Sequence, residues 1–181
     1  MNNSNFKTIF LDTEFTQPFR PNHEPKLISI GLINNEGDKT FYAEVTDHYS
    51  IEECSDFVRE AVLPLLNAPN LPAQVNYNAV YAKMTFAECS EHLRKWIEHI
   101  AEPVLCFSDA PNFDWPFVQN LFDEQYWPGY LLRQPQNCVP IQWDERLKYN
   151  IIADKAYLSR EYRRHHALDD AKVMRIATLG S

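Results

Sequence analysis

The sequence predicts an α/β fold: a mixed central sheet, an antiparallel meander followed by parallel strands, flanked by helices. Three observations carry this prediction. Strand-type apolar runs crowd the first 45 residues. Two S/T-x-x-E helix starts follow, each ahead of an apolar run with helical spacing. Short buried-type strands then alternate with helical patterns, with no internal repeat and no Gly/Ser linker, so residues 1–181 read as a single domain.

The elements follow in order. Residues 7–11 (KTIFL) form a run of strand formers. Pro18, Pro21 and Pro25 make the next connection a loop. Residues 26–33 (KLISIGLI) are a second strand, residues 34–38 (NNEGD) a turn, and residues 39–45 (KTFYAEV) a third strand. Ser50-Ile51-Glu52-Glu53 is a capping box, and Cys54, Phe57, Val58, Ala61, Val62 and Leu65 keep helical spacing until Pro69 and Pro72. Thr85-Phe86-Ala87-Glu88 is a second box, with Phe86, Cys89, Leu93, Trp96, Ile97 and Ile100 on one face. Pro103 precedes a short buried strand at residues 104–107 (VLCF). Residues 112–122 predict a helix. Residues 123–140, with Pro128, Pro135 and Pro140, read as irregular with room for a short strand near Cys138-Val139, and residues 167–178 read as a last helix.

Composition excludes several function classes. A hydrophobic fraction of 45% and a charged fraction of 23% exclude wholesale disorder. No run approaches the roughly 20 apolar residues of a membrane span. Met1-Asn2-Asn3-Ser4-Asn5 carries no basic n-region, so no signal peptide is expected. Cys54, Cys89, Cys106 and Cys138 form no CxxC pair and read as free thiols of a reducing, cytoplasmic compartment. Gly31, Gly37, Gly129 and Gly180 are too dispersed for a dinucleotide fingerprint or a P-loop. The net charge of −8 argues against a broad grip on nucleic acid, yet residues 131–181 carry 9 basic and 6 acidic side chains. The densest basic run is Arg160-Glu161-Tyr162-Arg163-Arg164-His165-His166.

Three acidic sites stand out. In Asp12-Thr13-Glu14 the carboxylates share one face of a strand, because side chains alternate. Like charges so close call for a cation, and hard divalent ions take oxygen ligands. Residues 107–117 (FSDAPNFDWPF) end a strand and open a helix, with Asp114 and Asp109 as rival carboxylates. In His165-His166-Ala167-Leu168-Asp169-Asp170-Ala171 a histidine precedes an acidic helix start, which makes it a general-base candidate.

The order D-x-E, F-D before an aromatic helix and H-x-A-x-x-D-A resembles the DEDDh 3′-to-5′ exonucleases of the DnaQ-like, ribonuclease H-like group, with its motifs spread over residues 12–170. The Leu-Ile-Ser-Ile-Gly strand and the Ser-Asp-x-x-x-Phe-Asp-Trp stretch look most like its small, stand-alone bacterial exoribonucleases. The resemblance implies a ribonuclease H-like sheet and maps Asp12, Glu14, Asp114 and Asp170 onto the metal ligands. His165, five before Asp170, takes the place of the base; the sister DEDDy subclass has tyrosine four before, where this chain has His166. The implied cofactors are two divalent cations, Mg²⁺ or Mn²⁺, acting on a water and on the leaving 3′-oxygen. The implied partner is the 3′ end of single-stranded nucleic acid, RNA in preference to DNA, with release of nucleoside 5′-monophosphates; a homodimer is compatible with the group. Phe15 is a stacking candidate, the main chain at Thr13 a sugar contact, and Arg164, with Arg160 and Arg163, a phosphate contact. A DNA exonuclease of proofreading or repair type and an inactive binding module are the competing readings.

Overall fold

The computed structural model describes residues 6–21, 23–123 and 126–180. The leading segment, read above as lacking a signal peptide, therefore lies outside the described residues.

Among those residues one six-stranded sheet has the order β4-β3-β2-β1-β5-β6. Strand β1 (Lys7–Phe15) pairs antiparallel with β2 (Leu27–Asn34), and β2 antiparallel with β3 (Thr40–Val45). β4 (Ala79–Met84) joins β3 in parallel, β5 (Val104–Ser108) joins β1 in parallel, and β6 (Gln136–Asn137) extends β5 in parallel. The expected meander and parallel additions are both present. Every residue of β2 is buried, which explains its unbroken apolar run: a strand covered on both faces has no polar side to show.

Helices α1 (Phe86–Ile100) and α2 (Pro111–Leu121) cover one face. There Ile9, Leu11, Phe41, Val80, Leu93, Trp96 and Phe117 pack in one cluster. The capping box of α1 is formed: Glu88 Oε2 accepts the Thr85 N–H at 2.8 Å while Thr85 Oγ1 accepts the Glu88 N–H at 3.2 Å. On the other face lie α3 (Trp143–Leu158) and α4 (Ala167–Leu179), with Phe10, Ile33, Tyr149, Ala171 and Met174 between them and the sheet.

Gly31 fixes how α4 sits. A Cβ there would lie 2.2 Å from the Leu168 amide nitrogen and 2.3 Å from the Ala167 carbonyl carbon. The first turn of α4 thus rests directly on β2, an approach only glycine permits. Gly31 is also the cross-strand partner of Asp12, so the start of α4 is delivered beside that carboxylate.

Three readings of the sequence are corrected. The helix expected after Ser50 is broken into a 3₁₀ turn (Ile51–Glu53), a π-helical segment (Val58–Val62) and a second 3₁₀ turn (Leu63–Leu65). Pro64 has no N–H for a regular i−4 bond, and the tightened end reflects that. Cys54, Val58 and Val62 point inward against Ile28, whereas Phe57, placed on the same face by spacing, is 57% exposed. β4 and α3 were not anticipated. β4 alternates correctly, with Val80, Ala82 and Met84 buried, but two of its six residues are alanine. α3 carries apolar residues outside as well as inside, so no single stripe marks it. The strand expected near Cys138-Val139 is the two-residue β6, just upstream. All four cysteines are buried and free.

Candidate active site

Asp12 and Glu14 stand two residues apart at the end of β1, on the face that α4 covers. The register shifts between Glu14 and Phe15, ending regular pairing at the site. Asp114 enters from the first turn of α2, which Pro111 opens. It is 3% exposed, and its Oδ1 accepts the Thr13 hydroxyl at 2.7 Å and the Thr13 N–H at 3.2 Å, while the Ser108 hydroxyl donates to Oδ2. Asp170 enters from the first turn of α4, with Oδ2 accepting the His165 N–H at 2.9 Å.

Asp12, Glu14, Asp114 and Asp170 line one cleft of about 630 Å³, together with Thr13, Phe15, Arg164 and His165. Ligand atoms of Asp12, Asp109 and Asp114 lie within 4.8 Å of one another, and so do those of Glu14, His165 and Asp170. Burial, and then the crowding of like charges, raises the carboxyl pKa values. Burial first, then the charges of Asp114 and Asp170, hold Asp12 well above the ordinary range. Glu14 is pushed up to about 8 by burial and by Asp170 and Asp114. Burial raises Asp114 to about 6 against the hydrogen bonds from Ser108 and Thr13, and Asp170 to about 6 against those from Tyr157 and His165. Such a set of oxygen donors, short of positive charge, fits a hard divalent cation.

His165 is at a left-handed φ of 68°, uncommon for a side chain with a Cβ, at the turn into α4. That turn aims its N–H at Asp170 and its ring into the cleft, with the Phe57 ring edge-on at 4.9 Å. Burial and the neighbouring Arg164 lower its pKa, so the imidazole is neutral and able to accept a proton near neutral pH.

The neighbouring candidates have other partners. His166 is 1% exposed, caps α4 by accepting the Asp169 N–H, and stacks on Tyr42 at 4.4 Å. Asp169 pairs with Arg163 at 2.7 Å, which takes Arg163 out of the set of free phosphate contacts. Arg160 is exposed at a φ of 64° and does not line the cleft. Arg164 does, with its guanidinium 4.4 Å from the Tyr157 ring centroid and 3.1 Å from Asp154. Phe15 stacks on Phe117 at 5.1 Å and touches Phe19, which continues to Phe113, exposed by 50% at the cleft wall.

Helix α3 adds cleft residues that no motif in the sequence marks. Asn150, Asp154 and Tyr157 line the cleft from this helix, and the Tyr157 hydroxyl donates to Asp170 Oδ1. Tyr149, Ile152, Ala153 and Ala156 do recur at helical spacing, but Trp143, Leu147, Ile151 and Leu158 recur on the outer face as well, so the pattern does not single out the inner one.

No curated protein matches the chain in sequence. Among solved structures the fold is similar to the nuclease domain of 3′hExo, a DEDDh family member bound to rAMP. That match has a TM-score of 0.57 and 16% identity, over 99% of this chain and 93% of that one. A 3′-exonuclease in 3′-end-specific recognition of a histone mRNA stem-loop gives 0.55 and 16%, over 98% of this chain and 68% of that one. A full-length 3′-exonuclease gives 0.52 and 17%, over 96% and 80%. At such identities the likeness is one of fold. Residues 7–178 match the 3′-5′ exoribonuclease Rv2179c-like domain, and on that match over nearly its whole length the chain belongs to this family.

Proposed function

We propose that residues 1–181 act as one exonuclease domain that removes nucleotides from the 3′ end of single-stranded RNA and releases nucleoside 5′-monophosphates. The observation that carries the reading is the convergence of Asp12, Glu14, Asp114, Asp170 and His165, from three separated stretches of sequence, on one cleft. The four carboxylates would hold two divalent cations, Mg²⁺ or Mn²⁺. When bound, these supply the acidity that makes water a nucleophile and the charge that stabilises a departing 3′-oxygen. Neutral His165 takes the proton of the attacking water. Phe15 and Phe113 offer apolar faces to the bases, the main chain at Thr13 meets the sugar, and Arg164 meets a phosphate. The bound rAMP and the histone mRNA stem-loop of the structural neighbours support RNA as the polymer.

Among the described residues no helix is long and apolar enough to cross a membrane. The four free buried thiols fit a reducing cytoplasm. A second copy of the chain is the partner we assign to the outer face of α3. Trp143, Leu147, Ile151 and Leu158 recur there at helical spacing and are 73%, 48%, 46% and 80% exposed.

Matched 5′-labelled RNA and DNA oligonucleotides, each with a free or a phosphorylated 3′ end, test the activity with Mn²⁺ or Mg²⁺ present. Stepwise shortening of RNA from the free 3′ end, abolished by EDTA and by the 3′-phosphate, is expected. Faster shortening of DNA would select the DNA exonuclease; no release from either polymer would select the binding module.

A further inference from the structure

Two of the cleft carboxylates are held by protein donors in different ways. Asp114 is gripped by Thr13 and Ser108, both on central strands of the sheet. Asp170 is gripped from outside the sheet. Its Oδ2 accepts the His165 N–H at 2.9 Å, from the turn before α4. Its Oδ1 accepts the Tyr157 hydroxyl at 2.5 Å, from the last turn of α3. A carboxylate with one donor can still swing about its Cβ–Cγ bond; with a donor on each oxygen its plane is set. Each oxygen keeps a further lone pair for another partner. Tyr157 is in turn fixed from above. The Arg164 guanidinium lies 4.4 Å from its ring centroid and is anchored to Asp154, one helical turn before Tyr157, at 3.1 Å.

We propose that Tyr157 is a positioning residue of the active site, its hydroxyl orienting the Asp170 carboxylate toward the divalent cations while Arg164 holds its ring in place. The proposal rests on the reading of Asp170 as a cation ligand. Partners that orient a ligating carboxylate typically contribute about 10- to 100-fold in metal affinity or activity. Losing one of two donors here corresponds to the lower end of that range. The role also couples the docking of α3 to cation affinity, although α3 contributes none of the four carboxylates.

Tyr157→Phe is the test, because it removes one oxygen and keeps the ring under Arg164. Mn²⁺ binding to the full chain, without substrate, is measured by calorimetric titration or by the loss of the free-ion paramagnetic resonance signal. Near-ultraviolet circular dichroism in EDTA checks that the variant is folded. The expected result is a Mn²⁺ affinity about tenfold weaker than wild type. The rate on RNA should fall to a similar extent at limiting Mn²⁺ and recover toward the wild-type kcat as Mn²⁺ is raised, with KM for RNA little changed. Wild-type Mn²⁺ affinity in a folded Tyr157→Phe protein overturns the proposal, as does a rate loss that excess Mn²⁺ leaves untouched. Asp170→Asn separates the two levels of the argument. If it too binds Mn²⁺ like wild type, the ligand assignment itself is wrong. If only Asp170→Asn loses affinity, the positioning role alone is wrong.

Discussion

Raising the pH of the metal-free protein from 6.5 to 8 should destabilise it, and Glu14 makes the clearest contribution. Burial and the charges of Asp170 and Asp114 raise its pKa from 4.5 to about 8. In the unfolded chain this group has already lost its proton at pH 6.5; in the folded protein it keeps it. The folded state therefore binds one proton more, and its stability falls as pH rises toward the folded pKa, by about 1.4 kcal/mol per pH unit. Over about 1.5 units the loss is about 2 kcal/mol, or roughly 4–8 °C in Tm for a chain of this size. Asp12, raised well above its ordinary value, adds a loss of the same sign. The histidines act the other way at the low end: His48, His92, His165 and His166 are lowered in the folded protein while their unfolded imidazoles still hold part of a proton near pH 6.5, so the Glu14 effect is read most cleanly in the upper part of the window and against Glu14→Gln. The upper limit is set by the cysteines, whose buried thiols are raised while unfolded thiols begin to ionise near pH 8.5. Thermal unfolding in EDTA at several pH values, repeated with excess Mn²⁺, measures the effect. In EDTA the Tm should fall with pH, with a shallower slope in Glu14→Gln. In Mn²⁺ it should rise, because ligation needs the carboxylates ionised. A Tm in EDTA that is flat or rising over this range, and the same in Glu14→Gln, refutes the electrostatic reasoning.

The adjacent histidines should separate cleanly. His165→Ala should lower kcat by about 10²- to 10⁴-fold and leave Mn²⁺ binding largely in place. His166→Ala removes a ring packed on Tyr42 and a helix cap, so it should lower Tm first; a larger kcat loss in His166→Ala would move the base by one residue. Gly31→Ala forces a methyl group into the backbone of α4 and should cost about 3 kcal/mol or more, read as lost soluble yield or a collapsed Tm; a well-folded variant would contradict the close packing. Trp143→Glu combined with Leu158→Glu should convert a dimer into a monomer by light scattering, and a monomeric wild type at micromolar concentration would remove the self-association reading.

The sheet, apart from β4, and the cleft carboxylates were readable for one reason: they lie in strands and helix starts whose patterns are local. β2 is an unbroken apolar run because both its faces are covered, and Thr85 and Glu88 announce α1 three residues apart. The residues around the acidic positions were harder. Tyr157 acts across the α3–α4 turn, and α3 was hidden by the apolar face that leaves Trp143 and Leu158 exposed. Nothing local distinguishes Arg163, paired with buried Asp169, from Arg164, which lines the cleft, since the two are neighbours in one basic run. Phe57 shows the opposite error, a side chain that keeps helical spacing with its apolar neighbours but that the broken helix turns out toward His165.

Crystals soaked in Mn²⁺ and measured at the manganese absorption edge show whether the four cleft carboxylates hold the cations together. Anomalous peaks are expected inside the cleft, within ligating distance of Asp12, Glu14, Asp114 and Asp170, and should weaken in Asp170→Asn. Fully occupied manganese elsewhere on the chain, with no peak among these four carboxylates, would contradict that placement.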